Sequence, residues 1–335
     1  MRLRWFAALI AALPLTQVGA LAQTAKSTSS TTAKWTPPRT AWGDPDLQGW
    51  FSNLSEDGTP LERPAQFEGR KLEDIKGEEL ASIKKGVQDR TIKTFQGPLH
   101  APEHFWQDDL NLLKGSQAWL IVDPPDGKIP PLTQQAKEKQ TRAGPRRANS
   151  RPASWEDLTL YDRCITRGLP GSMMPAIYGN SYQIVQAPGV VAIRYEMVHE
   201  TRVIPLDSRP HLPAGMGSYM GDPRGHWEGD TLVVETTNFR PETAYRGANA
   251  DTLKLVERFT RIAPDKVKWA VTVEDPQTWT RPWTFAMPLT IDPSQPVLEY
   301  GCHEGNYGLA NILSAARAAD QKDAEEAAKK SGAGK

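Results

Sequence analysis

From residue 182 to 302 the chain is a succession of short β-branched and aromatic runs broken by turn dipeptides, and that rhythm restricts the fold more than any other feature. The stretch 226–239, HWEGDTLVVETTNF, is its clearest instance. Gly229 and Asp230 suit a tight reversal, and the β-branched residues of 231–236 suit a pleated surface. Runs of this kind fall at 183–187, 190–197, 201–206, 231–236, 253–262, 267–274, 283–289 and 298–302, the pattern of an antiparallel meander. Val267, Trp269, Val271 and Val273 alternate with polar residues, and Trp283, Phe285, Met287 and Leu289 share one face. With an early strand at 47–53, the runs are too many for one flat sheet, and closure would remove its edges. The predicted fold is mainly β: an antiparallel meander closing into a lipocalin-like (calycin-like) barrel, with an N-terminal extension carrying short helices and a C-terminal helix.

The flanking segments complete the predicted layout. Arg2 and Arg4, an apolar run and Ala20-Leu21-Ala22 make residues 1–22 a secretory signal with cleavage after Ala22. The apolar run is shorter than the roughly 20 residues of a spanning helix, so no transmembrane segment is expected in the mature chain. Residues 23–34 read as a flexible leader. The extension, 35–180, holds the first strand, an amphipathic helix at 72–89, an irregular segment at 97–109 and a hairpin at 117–129 about Pro124-Pro125-Asp126-Gly127. Residues 137–147 look too polar to bury a face, and 155–164 reads as one or two helical turns. The core is predicted at 181–319, its last helix at 306–319, and the Lys/Glu/Ala/Gly tail 320–335 is expected to be disordered.

Compartment and chemistry rest on fewer residues. The sequence has 40 basic and 40 acidic residues, so no global field recruits nucleic acid. Two cysteines in an exported chain, Cys164 and Cys302, are most simply a disulfide, and a periplasmic location is expected. GxSxG, P-loop, GxGxxG and CxxCH patterns are missing, and no cofactor is expected. Arg194, Glu196, His199 and Arg202 form the best polar cluster, with Glu196 and His199 as the acid–base pair if the protein is an enzyme. His211, Asp222, Arg224, Trp279, His303, Glu304 and Asn306 are further candidates for ligand contact, Trp279 as a free stacking surface. His199, His211 and His303 could together hold zinc, but no close ligand pair supports a metal site. The segment 222–225 reads equally as a substrate clamp and as a turn stabilised by an Asp222 to Arg224 contact.

GDPDLQGWF (43–51), IVDPPDGKIP (121–130), RVIPLDSRPH (202–211), HWEGDTLVVETTNF, VEDPQTWTRPW (273–283) and EYGCHEGN (299–306) together resemble a large group of uncharacterised secreted bacterial proteins. The match spans most of the mature chain and implies no particular activity. Where that group has Gly after PLD, this chain has Ser208, which suggests a turn without positive φ. The expected function is a secreted barrel that binds a small amphipathic or aromatic molecule. Two alternatives stand beside it: a cofactor-independent or zinc-assisted lyase, isomerase or hydrolase on the same barrel, and a carbohydrate-binding or envelope scaffold. Oligomeric state is left open.

Overall fold

A two-residue reversal at Gly229 (φ +60°) and Asp230 joins β6 (Asp222–Glu228) to β7 (Thr231–Thr237), with Glu228 opposite Thr231. The other strands are β1 (Gly49–Ser52), β2 (Ile121–Asp123), β3 (Ser181–Ala187), β4 (Val190–Tyr195), β5 (Thr201–Pro205), β8 (Lys254–Ala263), β9 (Lys266–Glu274) and β10 (Trp283–Thr290). This is a computed structural model describing residues 35–95, 112–143, 151–176, 181–291 and 297–332. The expected histidine-bearing segment at 97–109, the signal, the leader 23–34 and the last residues of the tail lie outside them. The elements below belong to a compact unit, Pro37–Lys335.

All ten strands form one antiparallel sheet in the order β5-β4-β3-β1-β10-β9-β8-β7-β6, with β2 sharing the edge of β10. Taken cyclically without β2, that order is the order of the chain, as in an up-and-down barrel. β1 closes on β10 at Ser52 and Thr290. β5 and β6 lie against one another without paired hydrogen bonds among the described residues. Side chains close this seam: a Cβ on Gly225 of β6 would come within 2.6 Å of Leu206 and 2.8 Å of Ile204. The mainly β, lipocalin-like antiparallel barrel with its C-terminal helix is therefore the fold observed.

Strand β6 departs from the turn expected at 222–225. Pro223 lacks an N–H, but among the described residues β6 pairs only with β7, so no ladder bond is lost on its other side. Gly225 looks like a breaker in sequence yet occupies an inner-face position where β5 leaves no room for a side chain.

The inner face is filled. Trp269, Trp283, Phe259, Phe285, Tyr182, Tyr195 and Phe51 are all fully or almost fully buried. Trp269 meets Phe285 edge-on at 5.6 Å between centroids, and Trp283 lies 6.0 Å from Phe285.

Around the barrel, α1 (Gly77–Phe95) starts five residues later than expected, with Glu78 and Glu79 in its first turn and Lys93 in its last, each favourable to the helix dipole. Lys84 of α1 is buried and donates to Glu56 at 3.1 Å, fastening the helix to the turn after β1. The hairpin expected at 117–129 does not form. β2 pairs with β10 instead, and Pro130-Pro131 supply no N–H for a returning strand. Polar though it is, 134–143 forms α2 (Gln134–Ala143), whose N-terminal Ala136 N–H bonds to Thr133 Oγ1 at 3.1 Å. Ser208 adopts φ +58°, contrary to the expectation for its turn.

The run at 298–302 is not a strand: Leu298 is exposed, and Cys302 instead forms the expected disulfide with Cys164. The last helix, α3 (Gly308–Gly332), continues past the point where fraying is expected. Arg151 bonds both Asp320 (3.1 Å) and Asp323 (2.7 Å), and an Ala/Lys/Glu composition favours helix. No helix among the described residues is long and apolar enough to cross a membrane.

Candidate ligand-binding site

The expected cluster of Arg194, Glu196, His199 and Arg202 is taken apart by strand register. Arg194 pairs with Gln183 and Thr201 on the outer face, whereas Arg202 lies opposite Ile193 on the inner face. The reversal between β4 and β5 causes this, because Val198 (φ +60°) and His199 (φ +40°) use up residues in a tight turn and shift the parity of the residues after it. Glu196 accepts the Ser181 N–H at 3.2 Å. His199 Nδ1 lies 3.2 Å from the Tyr300 carbonyl, on the outside. Burial pushes the carboxyls of Glu196 and Glu200 up, and the Thr166 hydroxyl donating to Glu200 at 2.7 Å partly offsets this for Glu200.

Inside the barrel Arg202 makes a two-pronged ion pair with Glu257 of β8, one prong at 3.1 Å, and the Trp269 indole N–H donates to Glu257 Oε1 at 3.1 Å. Burial alone would lower the guanidinium pKa, but Glu257 beside it reverses the direction. The Tyr195 hydroxyl is within electrostatic reach of Arg202 yet makes no hydrogen bond of normal geometry. These groups are sealed in, so they form a polar strut across the core and not a ligand contact.

His211, Asp222 and Arg224 do come together. Asp222 accepts from Arg224 Nη1 at 2.6 Å and from the Leu212 N–H at 2.7 Å, with His211 Nδ1 at 3.1 Å. Arg224 Nε also donates to the Pro210 carbonyl at 3.0 Å, so the group pins the loop between β5 and β6 to the start of β6. Trp279 is not the free surface expected: it is 4% exposed and packs edge-on against Trp283 at 5.7 Å. His303 and Glu304 are exposed, and Asn306 Nδ2 contacts Cys164 Sγ at 3.3 Å. His199, His211 and His303 do not converge, and the described residues contain no group of three or more His, Cys, Asp or Glu that could hold a metal.

A cavity lies outside the barrel. A crevice of about 1360 Å³ opens between α2, the segment 159–167, the turns at 242–249 and the loop after β9. Its floor is built on Asp275. That carboxylate accepts from the Asn249 N–H (2.7 Å), the Thr252 hydroxyl (2.6 Å) and the Gln277 N–H (3.0 Å), which positions Asn249, Gln277 and Thr278 along the floor. Burial works to raise the Asp275 carboxyl, but these donors and the Thr278 hydroxyl hold it below its ordinary value.

Aromatic and basic side chains make the walls. Tyr245 stacks on the buried Trp283 at 6.2 Å and 29°, which fixes its ring. Burial raises its phenol pKa and Arg246 beside it works the other way, so the hydroxyl stays protonated and able to donate. Arg167 lies over the Tyr161 ring at 5.3 Å, and Lys139 projects from α2. None of these stands out in the sequence, where 132–180 reads as decoration and 242–249 carries no strand signal. The available clue is local: Tyr161 and Tyr245 are each followed within six residues by arginine, Arg167 and Arg246.

No protein-family model matches the chain, and no curated protein matches it. Solved structures align with part of it. One is an abundant heat soluble (SAHS) protein from Ramazzottius varieornatus, 10% identical over 40% of this chain and 87% of that one, with a TM-score of 0.24. Another is a point mutant of the fluorescent protein UnaG, 12% identical over 39% and 85%, with a TM-score of 0.22. At these values neither likeness bears on what the protein binds.

Proposed function

We propose that this is an exported barrel protein that binds a small amphipathic or aromatic molecule in the crevice beside the barrel. The observation that carries the reading is the pairing of a filled interior with an open cavity whose walls combine the tyrosine faces of Tyr161 and Tyr245 with threonine, asparagine and glutamine side chains. Binding sites have this composition: apolar or aromatic surface for contact area, and a few placed polar groups for orientation. The N-terminal signal pattern, the motif resemblance to secreted bacterial proteins and the disulfide support a periplasmic setting.

Filling the crevice tests this. Gln135 and Gln140 of α2 are exposed, line it and make no side-chain hydrogen bond among those described. Gln135→Trp with Gln140→Trp should therefore leave the fold intact and reduce its free volume. Nile red, a neutral amphipathic dye, is expected to fluoresce with the mature wild-type protein and to bind the double variant at least tenfold more weakly. Equal binding by both proteins would place the dye elsewhere and overturn the reading.

A further inference from the structure

We propose that the crevice selects organic anions, and specifically a planar ring bearing a carboxylate; the inference rests on the crevice being the binding site. Three basic side chains reach it from three different walls: Lys139 from α2, Arg167 from the segment 159–167 and Arg246 from the turn after β7. Among the described residues none of the three has a carboxylate partner. The one acid in the lining, Glu242, is an ion pair with Arg240 at 3.0 Å, and that arginine holds its carboxyl below the ordinary range. The cavity thus presents three uncompensated positive charges against one compensated negative charge.

The two arginines are also positioned by their surroundings. Arg167 rests on the face of Tyr161, which orients a guanidinium without neutralising it. Arg246 has φ +52°, a conformation that costs free energy for any residue but glycine, and the neighbouring Gly247 (φ +79°) completes the turn that presents it. Guanidinium groups bind carboxylates through two parallel N–H bonds, a geometry that a lysine does not reproduce. Beside Arg246 and on the same turn stands the Tyr245 ring, rigid on Trp283 and still carrying its proton. A ring stacked there can direct a carboxylate toward the arginines and receive the phenol hydrogen bond. Phosphate esters offer more charge but lack a planar two-oxygen edge fused to the ring, and they serve as a comparison.

Titration calorimetry of the mature, oxidised protein with 4-hydroxybenzoate and its neutral methyl ester tests the inference. The acid is expected to bind at least tenfold tighter than the ester, and raising salt from 20 to about 300 mM should weaken the acid severalfold while leaving the ester unchanged, as charge screening requires. Arg167→Gln with Arg246→Gln should abolish the preference, with folding checked by the melting temperature. Lys85→Gln, at a surface ion pair with Asp89 that does not line the crevice, should keep it. The inference is overturned if the ester binds as well as the acid, if phenyl phosphate binds more tightly than the acid, or if the double arginine variant retains the preference. Nile red separates the two failures: dye displaced from the crevice by the ester but not by the acid sinks the anion alone, whereas no crevice binding by any probe sinks the site as well.

Discussion

Arg202 and Glu257 stand 55 positions apart in sequence and meet across the barrel on strands β5 and β8, each with almost no exposure. A buried ion pair is weak support for stability when intact, since desolvation offsets most of the attraction, but losing one partner leaves a charge with no compensation. Arg202→Leu should therefore cost about 3–5 kcal/mol, stranding Glu257 with only the Trp269 indole as donor. The double change Arg202→Leu with Glu257→Leu should recover most of that loss. Urea unfolding of the wild type, Arg202→Leu, Glu257→Leu and the double variant measures the coupling, and a double variant as unstable as the sum of the single ones would show that the pair is not a unit. In the sequence Arg202 looks like a companion of Arg194, because spacing along a strand is visible there and the register after a turn is not.

The turn that displaces Arg202, from Glu196 to Glu200, predicts a pH dependence. Both glutamates have carboxyls raised above 4.5 by burial, so protonation favours the folded chain. Their contribution is fully present below the unfolded value and is lost as pH rises through the folded one. Glu196→Gln with Glu200→Gln should flatten the decline in stability that begins near pH 4.5 and runs upward, since glutamine can still accept from Ser181 and Thr166. Melting temperatures of both proteins from about pH 4 to pH 8 would test this; parallel curves would exclude these two groups. At this scale the sequence is informative where periodicity and turn chemistry agree, as in β7, β9 and β10. It misleads where a residue's role depends on a distant neighbour: Gly225 reads as a break until β5 is seen against it, and Leu298 reads as apolar strand although it is largely exposed. The crevice is the least legible part, since its walls come from four segments that meet only after the barrel has formed.

One covalent bond links the crevice wall to the end of the chain. Cys164 lies within the wall segment 159–167, and its partner Cys302 precedes α3. Of the described residues of α3 only Ala316 is buried, and the helix is otherwise held by surface contacts such as Arg151 with Asp323 and Arg317 with the Pro152 carbonyl. Exposed pairs of that kind contribute about 0–1 kcal/mol each, so the disulfide supplies most of the attachment. The loop it closes spans 138 positions, for which the chain-entropy argument gives an upper figure of about 5 kcal/mol against global unfolding. The barrel core does not include α3, so removing the bond should separate two behaviours. Cys164→Ser with Cys302→Ser should lower the melting temperature while keeping the near-ultraviolet dichroism of the buried tryptophans. Brief trypsin treatment should cut the variant at Arg317, Lys322, Lys329 or Lys330 well before the barrel, and at least tenfold faster than the oxidised wild type. Nile red affinity should fall with the loss of the bond, because the wall carrying Tyr161 and Arg167 loses its tether. Equal cleavage rates in the two proteins would mean that the surface contacts alone secure the helix, and the crevice would then not depend on the redox state of its surroundings.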